Sequence, residues 1–171
     1  MTDTSNAKTS HAAFPAPFVS SVMAVQPDWI DYNGHLNMAY YNVLFDKGID
    51  EAFETVGLGL DYLKARGGSI FTAETHVCYL RELSLEDPVR VRVHLLDYDG
   101  KRAHVFEELV HAEEGWTSAT LEQMSLHIDM QAKKVTPWPD DIAENLAAMH
   151  AAHSALPVPP QVGRVIKIKR G

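Results

Sequence analysis

Five side chains able to exchange protons or hydrogen bonds crowd one short stretch of this chain: Asp31, Asn33, His35, Asn37 and Tyr41. The first four recur at every second position, a spacing that in an extended segment places their side chains on one side. From Tyr41 onward the residues are apolar at helical spacing, through Phe45, Ile49, Ala52, Phe53 and Val56, a stripe that a core would bury. The polar cluster therefore stands at a helix N-terminus. Unpaired backbone N–H groups and the positive end of the macrodipole favour a developing negative charge there.

The elements that must hold this segment follow from pattern and punctuation. Phe18 to Val25 has the length and valine content of a first strand, closed by Pro27. A helix of about five turns runs from Met38 to Val56 and stops at Gly57 and Gly59. Asp61 to Ser69 reads as a connector with its turn at Gly67-Gly68. Four strand-like runs come next, Ile70 to Arg81, Val89 to Asp97, Arg102 to Ala112 and Thr117 to Met130. The last three are set off by Asp87-Pro88, Asp99-Gly100 and Glu114-Gly115. Val91, Val93 and Leu95 alternate with Arg90, Arg92 and His94, as in a sheet with one covered and one wetter face. Asp140 to His153, after Pro137 and Pro139, predicts a terminal helix over Ile142, Leu146 and Met149. The order predicts an α+β fold in which an antiparallel meander of four strands, with the first strand beside it, curls around the long helix.

Composition bounds the function. The 171 residues suit one domain, and 46% apolar content is ordinary for a globular protein. A net charge of -8 argues against a general nucleic-acid or anionic-membrane surface. The single cysteine, Cys78, excludes an intrachain disulfide and a CxxC pair, and a reducing cytoplasm is the simplest home. Residues 1–17 read as a flexible arm without the basic and apolar regions of a signal peptide, and no run approaches the roughly 18 apolar residues of a membrane span. The domain proper is expected over residues 18–135, with the helix and a basic tail, Gly163 to Arg170, over 136–171. That tail alternates apolar and basic residues, as a solvated tail or a short edge strand would.

The run Asp31-Tyr32-Asn33-Gly34-His35-Leu36-Asn37, placed just before the helix with Tyr41 within it, resembles the hotdog-fold thioesterases. Asp31 and Gly34 fall on the motif of the 4-hydroxybenzoyl-CoA thioesterase branch. Asp31, Asn33, His35, Asn37 and Tyr41 fall on the alternate-position pattern of the plant acyl-carrier-protein thioesterases. Val25 to Asp46 and Val77 to Leu83 are also similar to bacterial thioesterases of carnitine and betaine catabolism. The resemblance implies a hotdog fold, an acyl-CoA substrate, no cofactor, and a homodimer or homotetramer with sites at the subunit boundary. It implies Asp31 as the catalytic carboxylate, acting on water as general base or on the thioester carbonyl as nucleophile. The oxyanion would meet the helix-start N–H near Met38, with Gly34 allowing close backbone approach.

Beside those roles each residue has a plain one. Asp31 can cap or turn, Asn33-Gly34 is a good turn dipeptide, and His35 can shuttle a proton or merely hydrogen-bond Asp31. Asn33 and Asn37 transfer no protons at neutral pH but can orient water or a carbonyl. Trp29, Tyr32, Tyr40 and Tyr41 can cage a cationic acyl headgroup such as trimethylammonium, or serve as core. Glu74 lies on the strand where the plant enzymes carry a second acidic group, but out of register. Arg81, Arg90 and Arg92 can meet coenzyme A phosphates or simply solvate the sheet. Cys78, between Val77 and Tyr79, reads as buried packing, and the scattered His76, His94, His104, His111 and His127 lack the spacing of a metal motif. Two rival functions remain: a hotdog hydratase or dehydratase, and a protein that binds acyl thioesters without cleaving them.

Overall fold

The computed structural model describes residues 14–168. Its elements are β1 (Phe18–Val19), β2 (Met23–Ala24), α1 (Met38–Thr55), α2 (Leu60–Arg66), β3 (Gly68–Tyr79), β4 (Pro88–Tyr98), β5 (Arg102–His111), β6 (Thr117–Asp129), β7 (Lys134–Val135) and α3 (Asp140–His153). The strands form one antiparallel sheet in the order β1-β4-β5-β6-β3, with β2 also on β4 and β7 on β6.

α1 forms where the apolar stripe foretold. It buries Tyr41, Leu44, Phe45, Gly48, Ile49, Ala52 and Phe53 against Val89, Val91, Val93 and Leu95 of β4 and Val105, Leu109 and Leu121 of β5 and β6. Each large apolar side chain so covered contributes about 1.5–3 kcal/mol, more than helix propensity can. Gly48 is where helix and sheet come closest, since a Cβ there would overlap the Val91 side chain. α3 adds Ile142, Leu146 and Met149 to the same core.

Four expectations are corrected. The first strand is broken into β1 and β2, because Ser20 Oγ enters the ladder by accepting the Val91 N–H at 2.9 Å. Ser21 turns away to donate its N–H to Glu51 on α1 at 2.7 Å. The connector after α1 contains α2, a helix with a single buried residue, Tyr62, and hence almost no apolar period to read. The meander has three strands, β4, β5 and β6; β3 lies beyond β6, paired from Gly68–Asp129 to Tyr79–Ala119. Leu80 to Asp87 carries the chain across the end of the sheet to β4, anchored by the Leu80 and Arg81 N–H groups on the Ser118 carbonyl at 2.8 and 2.9 Å. Cys78 is only partly buried, on the face away from α1, with Arg164 Nη1 3.8 Å from its sulfur.

Residues 164–168 of the tail are exposed and form no strand, and Gly163 donates its N–H to Glu122 at 2.7 Å. Residues 1–13 of the expected arm, and Lys169 and Arg170 of the tail, lie outside the described residues. No helix among the described residues is long and apolar enough to cross a membrane, and no group of three or more His, Cys, Asp or Glu among them could hold a metal ion.

Candidate active site at the start of the long helix

The segment before α1 is a tight loop. A 3-10 turn at Pro27–Trp29 opens it, Ile30 and Leu36 pair as an antiparallel bridge, and the Asn37 N–H closes on the Trp29 carbonyl at 2.9 Å. Between them Gly34 donates to the Asp31 carbonyl and Asp31 to the His35 carbonyl, each at 3.0 Å. Gly34 takes φ +84°, the left-handed region that its missing Cβ makes accessible. The expected extended alternation is therefore absent, because Asn33-Gly34 bends the chain. Asp31 and His35 stand at the base of the turn, while Tyr32 and Asn33 are exposed at its tip.

A cavity of about 340 Å³ opens at that base, lined by Asp31, His35, Met38 and Tyr41 on one side and Tyr79, Arg81 and Glu82 on the other. Asp31 Oδ1 accepts the Asn33 N–H at 2.7 Å, as in an Asx turn. One carboxylate oxygen is thus fixed, and Oδ2 has no partner among the described residues. His35 lies between two carboxylates, Nδ1 3.9 Å from Asp31 and Nε2 4.0 Å from Glu82. Both gaps exceed a direct hydrogen bond, so the ring is poised between the acids rather than locked to either. Asn37 caps α1, its Oδ1 accepting the Ala39 N–H at 3.0 Å, and its own N–H is spent on Trp29. Among the described residues the Met38 N–H takes part in no backbone hydrogen bond, which makes it an open donor beside the cavity.

Tyr41 and Tyr79 meet edge to face at 5.1 Å, and the Tyr79 hydroxyl donates to the Met38 carbonyl at 3.3 Å. Burial raises both phenols above their ordinary value; for Tyr41, hydrogen bonds to Ser118 and the Leu83 backbone oppose it. Both stay neutral at physiological pH. Arg81 lies 3.8 Å over the Trp116 ring, itself stacked on His111.

The four aromatic residues Trp29, Tyr32, Tyr40 and Tyr41 do not form one cage within the chain. Tyr32 is 97% exposed at the turn tip. Trp29 and Tyr40 stack on each other at 5.6 Å, with Lys47 Nζ 5.8 Å from the Trp29 ring. Only Tyr41 lines the cavity. Asn33 and Asn37 do not line it either. Glu74 follows a β-bulge and lines a different cavity of about 570 Å³ beside the tail, with His76, His104 and Glu122. Arg90 is bound to the Ser20 carbonyl at 3.1 Å. Sequence reasoning gave Glu82 and Tyr79 no role at the site, although both lie in the Val77 to Leu83 run that carries part of the resemblance; the β3 crossover is what brings them to the cavity beside Asp31.

It also missed Glu107 on β5. This carboxyl is fully buried beneath α1 between Val93 and Leu121, and neither oxygen has a hydrogen-bond partner among the described residues. Burial drives it well above the ordinary carboxylate range, and the nearby Asp46 and Asp50 push the same way.

Residues 25–146 match the model of the thioesterase-like superfamily. The chain is 39% identical over 142 residues to a betainyl-CoA thioesterase of Pseudomonas aeruginosa, covering 83% of this chain and 89% of that protein. It is 34% identical over 166 residues to an L-carnitine dehydrogenase/betainyl-CoA thioesterase of Rhizobium meliloti, 97% of this chain but 33% of that longer protein. Among solved structures it superposes on a Staphylococcus aureus protein in complex with CoA, with TM-score 0.83, 30% identity and coverage of 94% of this chain and 100% of that one. A putative thioesterase from Pseudomonas putida gives TM-score 0.78 at 32% identity, covering 92% and 100%. The curled sheet around α1 is thus the hotdog fold, and the chain belongs to the thioesterase-like superfamily as an acyl-CoA thioesterase.

Proposed function

We propose that this enzyme hydrolyses betainyl-CoA to betaine and coenzyme A, with Asp31 as the catalytic carboxylate. The observation that carries the chemistry is the pairing, at one cavity mouth, of a carboxylate oxygen with no partner and an open N–H at the start of α1. The 39% identity to the P. aeruginosa enzyme supports the substrate.

With the thioester carbonyl oxygen on the Met38 N–H, the helix start stabilises the negative charge that forms as the carbonyl carbon becomes tetrahedral. Asp31 either takes a proton from the attacking water or itself adds to the carbonyl, giving an anhydride that water then opens. His35 delivers the proton that the departing thiolate needs, with Glu82 4.0 Å from its Nε2 on the far side.

The edge strand β3 completes the reading. Among the described residues its outer side is unpaired, with Phe71 49% and Tyr79 46% exposed along it and Leu80 48% exposed just past its end. A second copy pairing there would protect the edge and roof the cavity that Tyr79 and Leu80 line. We place the enzyme in the cytoplasm as a homodimer.

A thiol-reactive dye assay across betainyl-, acetyl- and medium-chain acyl-CoAs tests this. Betainyl-CoA is expected to give the highest kcat/KM; a higher value for a medium-chain acyl-CoA overturns the betainyl assignment and leaves thioester hydrolysis standing.

A further inference from the structure

The face of the sheet that turns away from α1 carries a hollow of about 410 Å³, which shares no residue with the catalytic cavity. Its floor is His94, 9% exposed, and Phe106, directly opposite each other on β4 and β5. One wall is Pro17 and Val19 at β1, and the other is Leu156, Pro157 and Pro159, just after α3. Both walls are tied to His153: its Nε2 donates to the Pro15 carbonyl, and its own carbonyl accepts the Leu156 N–H, each at 2.9 Å. The proline rings stiffen both. An apolar hollow of this size with a few convergent polar groups has the form of a small-molecule site.

The polar groups at its rim are Arg92 and Glu108, both half-buried. They too lie directly opposite each other, where Cβ atoms stand about 4.5–5.5 Å apart. Among the described residues, however, neither has an ionic partner within 4.0 Å. Elsewhere in the protein opposite charges within reach do close, Arg66 on Asp141 at 2.7 Å and Arg102 on Asp99 at 2.6 Å. Arg92 and Glu108 instead each present an open charge to one hollow.

We propose that this hollow is a second ligand site, which takes a small quaternary zwitterion with its carboxylate on the Arg92 guanidinium and its ammonium against Glu108. An arginine fork holds a carboxylate through two parallel N–H groups. A quaternary ammonium has no N–H to satisfy, so its methyl groups rest on the side chains of Val19, Leu156 and the prolines while Glu108 supplies the opposing charge. A compact zwitterion answers two facing residues on adjacent strands at once; a lone anion or cation leaves one of them unpaired in a half-covered place. Betaine is such a molecule, and choosing it rests on the betainyl reading, because the proposed hydrolysis releases it. Bound there, it leaves the cavity at Asp31 free for substrate.

The test is titration calorimetry of the full-length protein with betaine, with choline, which lacks the carboxylate, and with 3,3-dimethylbutyrate, which has carbon in place of the charged nitrogen. Betaine is expected to bind with a dissociation constant of about 1 mM or tighter, and each analogue at least about tenfold more weakly. Arg92→Gln and Glu108→Gln should each weaken betaine by about tenfold or more. No saturable binding of betaine, or an analogue that binds as tightly, overturns the site. Betaine binding that both variants retain belongs elsewhere, the catalytic cavity included, and also overturns it. If either variant does not fold, the ranking of the three ligands on the wild type still decides. Hydrolysis of betainyl-CoA is scored separately by thiol release, so the site can fail with the reaction intact, and the reaction with the site intact.

Discussion

His153 on α3 accepts the backbone N–H of Leu95 on β4 through Nδ1 at 2.9 Å. Its Nε2 donates to the Pro15 carbonyl at 2.9 Å, so one neutral tautomer ties the last helix, the central strand and the start of the described chain together. Burial holds this imidazole below its ordinary value, with the Pro15 carbonyl pulling the other way and His150 adding to the depression. His94, stacked edge-on at 5.7 Å, is lowered chiefly by burial as well.

Below about pH 6.5 the unfolded chain therefore binds protons that folded His153 refuses, so this residue withdraws stability as pH falls. His153→Gln, whose amide can accept and donate, should be less stable than wild type at pH 7.5 but should lose the difference on going to pH 5.5. Thermal unfolding at the two pH values reads this; a wild-type advantage that grows on acidification would refute it.

Glu107 works in the opposite direction. Its raised folded value means that the unfolded carboxyl has ionised while the folded one still holds its proton, so stability is withdrawn as pH rises above the unfolded value near 4.3. Glu107→Gln should gain melting temperature over wild type, and the gain should widen from pH 4.5 to pH 7.5. A constant difference across that range would show the carboxyl to be paired in solution.

Asp31→Asn keeps an oxygen for the Asn33 N–H, so the turn survives while the charge is lost. Turnover should fall by at least about a hundredfold with an unchanged far-ultraviolet dichroism spectrum. More than about a tenth of wild-type turnover in the folded variant would remove Asp31 from its role and bring His35 forward.

Gly48→Ala tests the contact between α1 and β4. The added methyl overlaps Val91, and overpacking of this kind costs about 1–3 kcal/mol. Denaturant unfolding should show that loss, and adding Val91→Ala should recover part of it. An unperturbed midpoint in the single variant would mean that the helix has slack to move.

Light scattering after gel filtration checks the proposed pairing of β3 edges. A mass near twice 19.0 kDa is expected. An active monomer at micromolar concentration would show that one copy completes its own site.

What could be read from the sequence was whatever a local period or punctuation mark encodes. α1, α3 and the strands β4 to β6 announced themselves through apolar spacing and Gly or Pro breaks. The neighbour of β3 was not legible, because alternation says which face a strand covers and nothing about which strand lies beside it. The site divided along the same line. Asp31 and His35 belong to a local motif legible in the sequence and stand together at the cavity, whereas Glu82 and Glu107 are set apart only by what the fold brings to them. Glu107 follows Phe106 and precedes Glu108, and nothing in that run distinguishes an outward acid from a buried one. The supposed extended spacing of Asp31, Asn33, His35 and Asn37 misled because Asn33-Gly34 is also a turn.

The crossover of β3 to the far side of β6 has a kinetic consequence. Gly68 finds its partner in Asp129, so one wall of the cavity, Tyr79 to Glu82, is fixed only after β4, β5 and β6 are laid down. A chain emerging from the ribosome has the whole Asp31 motif early and no working site until nearly all of the sheet has been made. Such distant pairings slow folding. Activity recovered during refolding should therefore lag behind the return of α1, and the nascent enzyme should be inert toward thioesters until its last long strand is in place.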